Sequence, residues 1–174
     1  GPLSETVGDF WQMIWDYHCP IIVMITRILE AQRSKCYLYW PDVENQKLYF
    51  SSGCTGCLSA PKCADNNNNH NNNSITPDFL IENVNSESNG NFAKTTLRIT
   101  NLQLQEVRTV EHFAYFSWPD HGTPQTTEGL LDLLNSVQST YSHEIEKLGY
   151  QSYEDQKIPP PPVVVHCSAG IGRT

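Results

Sequence analysis

The twelve residues VVVHCSAGIGRT, from Val163 to Thr174, constrain this chain more than any other stretch. Val163 to Val165 are apolar and β-branched, and Val163 to His166 reads as a short buried strand. The seven positions that follow, Cys167, Ser168, Ala169, Gly170, Ile171, Gly172 and Arg173, are mostly small, with two glycines. Such a backbone curls tightly enough to aim successive N–H groups at one point, which makes a cradle for an anion. Arg173 closes the ring, because a planar guanidinium takes two phosphate oxygens where a lysine offers only a point charge. The strand gives the loop a rigid base.

The same cradle makes Cys167 a candidate nucleophile. A free cysteine titrates at about 8.5, and a pocket of amides and arginine brings that to roughly 3.5–7.5, which yields thiolate at neutral pH. A structural thiol in a core would need neither the glycines nor the arginine at this spacing. Cysteine, five residues and arginine occur together in more than one kind of enzyme, so the loop by itself does not name the substrate.

A second signal stands forty-odd residues upstream in Trp118-Pro119-Asp120-His121-Gly122. Together the two motifs resemble the protein tyrosine phosphatases. Three further stretches agree: Gly1-Pro2-Leu3 with Asp9-Phe10-Trp11 and Met13; Lys35-Cys36 with Tyr39-Trp40-Pro41; and Val110, His112-Phe113 and Tyr115 leading into the Trp-Pro-Asp segment. The resemblance breaks from about Ser51 to Asn91 and again near 147–162. It implies hydrolysis of phosphotyrosine in proteins by a two-step transfer, in which Cys167 attacks phosphorus to give a phosphocysteine. Asp120 would protonate the leaving tyrosine oxygen and then take a proton from the attacking water.

Residue chemistry suits these assignments. Phosphoryl transfer asks mainly for positioning and charge stabilisation, and a placed carboxylic acid contributes about 10²–10⁴-fold. Pro119 stiffens the acid segment and Gly122 frees its end, as expected of a loop that moves over substrate. By position, the resemblance also implies substrate contacts from Ser168, Ala169, Gly170, Ile171, Gly172, Arg173 and Asp120. It further implies a Glu30 partner for Arg173, a Lys35 that holds the acid loop, and Trp118 and Pro119 as its frame. His166 would keep the thiolate low in pKa, although a strand-end histidine can equally satisfy a neighbouring carbonyl. Thr174 would assist phosphocysteine breakdown. No metal or cofactor is called for, since arginine and amides neutralise the phosphate.

At 174 residues the chain suits one sizeable core. The longest apolar stretch, Ile21 to Ile25, suits a strand and is far too short to cross a membrane. A net charge of −8 argues against nucleic acid as a partner. Six cysteines without a signal peptide make no disulfide framework, and a working Cys167 must stay reduced, which points to the cytoplasm. Cys54, Cys57, Cys63 and His70 form a spacing that could ligate zinc, yet structural zinc sites pair ligands on two tight turns. Free thiols in a loop are the preferred reading. Asparagine dominates positions 64–74, and this low-complexity tract reads as a disordered insertion within one domain spanning 1–174.

The coarse pattern predicts an α/β fold: a mixed twisted sheet flanked by helices, with the phosphate-binding loop at the end of a strand. Thr6 with Asp9 reads as a helix capping pair, with Phe10, Ile14 and Tyr17 on one face, Trp11 and Trp15 beside them, and Pro20 as the stop. Strands are expected at Ile21–Thr26, Cys36–Trp40 and Leu48–Phe50, and two or three more within Thr95–Phe116. Leu130, Leu133, Leu134, Val137 and Tyr141 mark the core face of a second helix, and Gly149–Pro162 reads as an extended loop.

Against the family pattern the chain is a partial domain. The resemblance places a helix after Thr174, a tyrosine-bearing recognition loop before Gly1, and a downstream glutamine segment. The expectation is therefore that the complete protein is the phosphatase and that these 174 residues alone act poorly. The rivals are an inert fragment, a phosphotyrosine-binding pseudophosphatase, and an arginine-loop enzyme acting on phospholipid or phosphoserine.

Overall fold

A computed structural model of the chain describes residues 1–53, 76–119, 122–149 and 159–174. The asparagine-rich insertion, the Cys54, Cys57, Cys63 and His70 series, Asp120 with His121, and most of the loop before Pro159 lie outside the described residues.

The elements run α1 (Val7–Asp16), β1 (Ile21–Met24), β2 (Leu29–Glu30), β3 (Arg33–Ser34), β4 (Lys47–Phe50), β5 (Phe79–Ser88), β6 (Phe92–Asn101), β7 (Glu106–Tyr115), α2 (Glu128–Lys147) and β8 (Val163–His166). Six strands form one sheet in the order β4-β5-β6-β7-β1-β8. The β4 to β7 neighbours are antiparallel, and β7, β1 and β8 run parallel, so the sheet is mixed as the sequence predicts. β2 and β3 make a separate hairpin. Its turn residues Ala31 and Gln32 both have positive φ, the backbone that a two-residue hairpin requires.

β1 is buried at every position because helices cover both faces of the sheet. Ile22 and Met24 join Val7, Trp11, Ile14 and Trp15 of α1 in one cluster. Ile21 and Val23 join Phe113, Tyr115 and Leu133 in the other. The alternation sends odd and even residues to opposite cores, which is why the run Ile21 to Ile25 shows no polar break.

Several expectations are corrected. In α1 the packed face is Val7, Trp11, Ile14 and Trp15, while Phe10 is half-buried and Tyr17 is 65% exposed. The Thr6 hydroxyl accepts from the Leu3 N–H and makes no cap to the helix. The helix ends before Pro20 in a Schellman motif: His18 takes positive φ, its N–H reaches the Trp15 carbonyl, and the Cys19 N–H reaches that of Ile14. Cys36–Trp40 is no strand, because its backbone groups bond outside any ladder, with Tyr37 N–H on the Pro2 carbonyl and Trp11 Nε1 on that of Tyr39. β5 forms inside the stretch where the family resemblance lapses. On α2, Leu134 is 53% exposed, and the inward stripe is Leu130, Leu133, Val137 and Tyr141. β8 is half-buried, with Val165 43% exposed, because among the described residues it pairs only with β1.

Candidate active site

β8 pairs with β1 through His166 opposite Met24, and the chain then turns into the Cys167–Arg173 loop at the carboxyl end of these parallel strands. This is where open α/β sheets present their ligand sites. Gly170 has φ of +72°, a conformation a side chain would strain, and it turns its N–H onto Cys167 Sγ at 3.2 Å. Ala169, Gly170, Ile171 and Gly172 are exposed, while Cys167 is buried. Burial pushes the thiol pKa up. Hydrogen bonds from the Thr174 hydroxyl and from the N–H groups of Gly170, Thr174 and Gly172 outweigh it and bring the value from 9.0 down to about 7. The sulfur thus ionises at lower pH than an ordinary cysteine. Removing the largest of these donors in Thr174→Ala is expected to move the midpoint of iodoacetamide alkylation at Cys167 upward toward 9.0. An unchanged midpoint would show that the hydroxyl contributes nothing.

Arg173 lies beneath the loop in a bidentate pair with Glu30, Nη1 to Oε1 and Nη2 to Oε2 both at 2.7 Å. Nη1 also donates to the Ile25 carbonyl at 3.4 Å. Glu30 is delivered by the β2–β3 hairpin, and the two side chains are only 10% and 8% exposed. A pair so screened fixes the plane of the guanidinium, and loss of one member strands the other charge. Glu30→Ala is expected to cost about 3 kcal/mol in urea unfolding of the full-length protein; a cost below about 1 kcal/mol would mean the pair behaves as a solvated one.

The loop is braced from outside. The Ser168 hydroxyl donates to the Lys35 carbonyl at 2.8 Å, and the Gly1 amino group bonds the Ser168 carbonyl. Lys35-Cys36 therefore lies against the cradle, with the Cys36 thiol buried and pushed up to about 11, which keeps it protonated and inert. Trp118 Nε1 donates to the Gly122 carbonyl at 3.1 Å and so ties together the two flanks of positions 120 and 121. Pro119 is exposed beside it.

His166 differs from the sequence expectation. Burial holds its pKa down to about 4, so the ring is neutral and supplies no charge to the neighbouring sulfur. Its Nδ1 lies 3.0 Å from the Cys167 carbonyl, which can only accept, so Nδ1 carries the proton. Nε2 then accepts from the Tyr39 hydroxyl at 2.8 Å, and that oxygen accepts from His112 Nε2 at 2.7 Å. The ring satisfies a neighbouring carbonyl, the alternative that the sequence left open. Tyr39 and His112 are fully buried polar groups behind the nucleophile. In the sequence they served only as marks of resemblance, and β7 mixes polar and apolar residues, so no local signal announces that His112 has a partner.

The sequence is similar to that of other chains. A family model described as protein-tyrosine phosphatase matches residues 1–174, the whole chain. The chain belongs to the protein-tyrosine phosphatase family. Similar proteins include tyrosine-protein phosphatase non-receptor type 9 of Rattus norvegicus, 38% identical over the whole chain. Tyrosine-protein phosphatase non-receptor type 14 of Homo sapiens and tyrosine-protein phosphatase 2 of Dictyostelium discoideum are each 35% identical, again over all of it. The chain spans 25%, 12% and 34% of the lengths of these three phosphatases. Among the described residues no helix is long and apolar enough to cross a membrane, and no cluster of metal-ligating side chains occurs.

Proposed function

We propose that the full-length protein hydrolyses phosphotyrosine in proteins through a phosphocysteine on Cys167. The observation that carries this reading is the loop that holds both groups: the Gly170 N–H lies on the Cys167 sulfur at 3.2 Å, Arg173 is fixed by its bidentate pair with Glu30, and the loop donors draw the thiol pKa down to about 7. An amide ring that favours a thiolate also favours the equatorial oxygens of a phosphoryl group, because both are anions presented to the same donors.

The sulfur attacks phosphorus as the P–O bond to the tyrosine oxygen breaks, and Asp120 delivers a proton to that oxygen. Water then attacks the phosphocysteine, Asp120 takes its proton, and phosphate leaves with the thiolate restored. Arg173, held in plane by Glu30, stabilises charge on the phosphoryl oxygens, while Ser168 to Gly172 supply backbone donors. Thr174, whose hydroxyl helps to lower the pKa of the sulfur, stabilises it as a leaving group in the second step. Lys35, Trp118 and Pro119 frame the acid segment. We assign residues 1–174 to one partial catalytic domain interrupted by the asparagine-rich insertion at 64–74, acting in the cytoplasm, where thiols stay reduced. The reaction requires no metal.

Phosphate release from matched phosphotyrosine and phosphoserine peptides, in buffer containing EDTA, tests this reading. Turnover of the phosphotyrosine peptide alone is expected. Binding without turnover would favour a pseudophosphatase, and equal rates on both peptides would remove the tyrosine specificity.

A further inference from the structure

Glu30 does more than hold Arg173. Its Oε1 also accepts from the Arg27 backbone N–H at 3.1 Å and from the Thr26 hydroxyl at 3.3 Å, so the turn after β1 is built around the same carboxylate. From that turn the Arg27 side chain reaches 89 positions along the chain. Its Nε and Nη2 both donate to one acceptor, the Phe116 carbonyl, at 3.2 and 3.1 Å. Phe116 is the first residue after β7, two before Trp118 and four before Asp120 in the sequence. Its own N–H is held by the Asn91 carbonyl at 3.0 Å.

The residue that begins the acid segment is thus gripped on both sides, and one grip traces back through Arg27 and Glu30 to the guanidinium of the phosphate loop. Stability alone gives little reason for this link. Arg27 is exposed, and a carbonyl at a strand end accepts from water at almost no net cost. What water cannot do is hold that carbonyl at a fixed place relative to Arg173. A planar fork closing on one oxygen does so, and small displacements of a catalytic group are expensive in rate.

We propose that Arg27 is a positioning residue that fixes the start of the acid segment relative to the phosphate loop, so that proton delivery to the leaving oxygen depends on it. The proposal rests on the phosphatase reading and on Asp120 as the acid. A structural role would slow the first transfer step of every substrate alike, whereas a role in proton delivery slows that step only where the leaving oxygen needs a proton.

The test compares phenyl phosphate, a poor leaving group, with 2,4-dinitrophenyl phosphate, which departs without a proton, in the full-length protein and in Arg27→Ala. The expected result is a kcat/KM, which reports only the steps through departure of the leaving oxygen, lowered by about tenfold or more on phenyl phosphate and by less than about twofold on the dinitrophenyl ester. Arg27→Lys, which keeps the charge and loses the fork, is expected between the two, and it carries the same comparison should the alanine variant fail to fold. Equal losses on both esters, or none on either, would overturn the role of Arg27 while leaving the phosphatase reading intact. A parent protein that turns over neither ester would instead overturn the phosphatase reading, and Arg27 with it.

Discussion

Cys167→Ser is expected to lower kcat/KM on a phosphotyrosine peptide by about 10⁵-fold, in the range seen when a nucleophile is removed from a preorganised site. The side chain is nearly isosteric and Cys167 is only 4% exposed, so the fold and the amide ring should persist. What is lost is the anion. The donors that bring the thiol to about 7 cannot bring a serine hydroxyl, ordinarily far less acidic, into the neutral range. Peptide affinity should remain near that of the parent, because the ring and Arg173 bind the phosphate whether or not a nucleophile is present. A variant retaining more than about 1% of the parent rate would mean that Cys167 is not the attacking atom.

Asp120→Ala is the second large effect, expected at about 10²–10⁴-fold in kcat with little change in KM, since the carboxyl acts on the leaving oxygen and not on binding. The parent kcat/KM should rise with pH as Cys167 ionises near pH 7, and the variant should keep that rising limb. A drop below about threefold would assign the proton to another group.

The phosphate loop was legible from the sequence because its chemistry is local: glycines, cysteine and arginine within seven positions define a ring whatever surrounds them. β1 was legible for a similar reason, an unbroken apolar run that only a strand covered on both faces explains. Cys36–Trp40 was misread because strand propensity is met there by partners outside any sheet, the Pro2 carbonyl and the Trp11 indole, which no local pattern announces. Leu134 looked like core because it sits beside Leu133 at helical spacing, yet α2 turns only a narrow stripe toward the sheet. The neutral state of His166 depends on Tyr39, 127 positions away, and the reach of Arg27 to Phe116 spans 89. Such pairings arise only in the folded chain, and no local pattern in the sequence announces them.

Mixing the full-length protein in excess with a phosphotyrosine peptide, quenching in detergent within milliseconds and locating the phosphoryl group by mass spectrometry tests the central claim most directly. The account predicts one phosphoryl group on Cys167, formed as tyrosine is released and lost as phosphate appears. Turnover with no phosphorylated enzyme, or with the group on a residue other than Cys167, would contradict it.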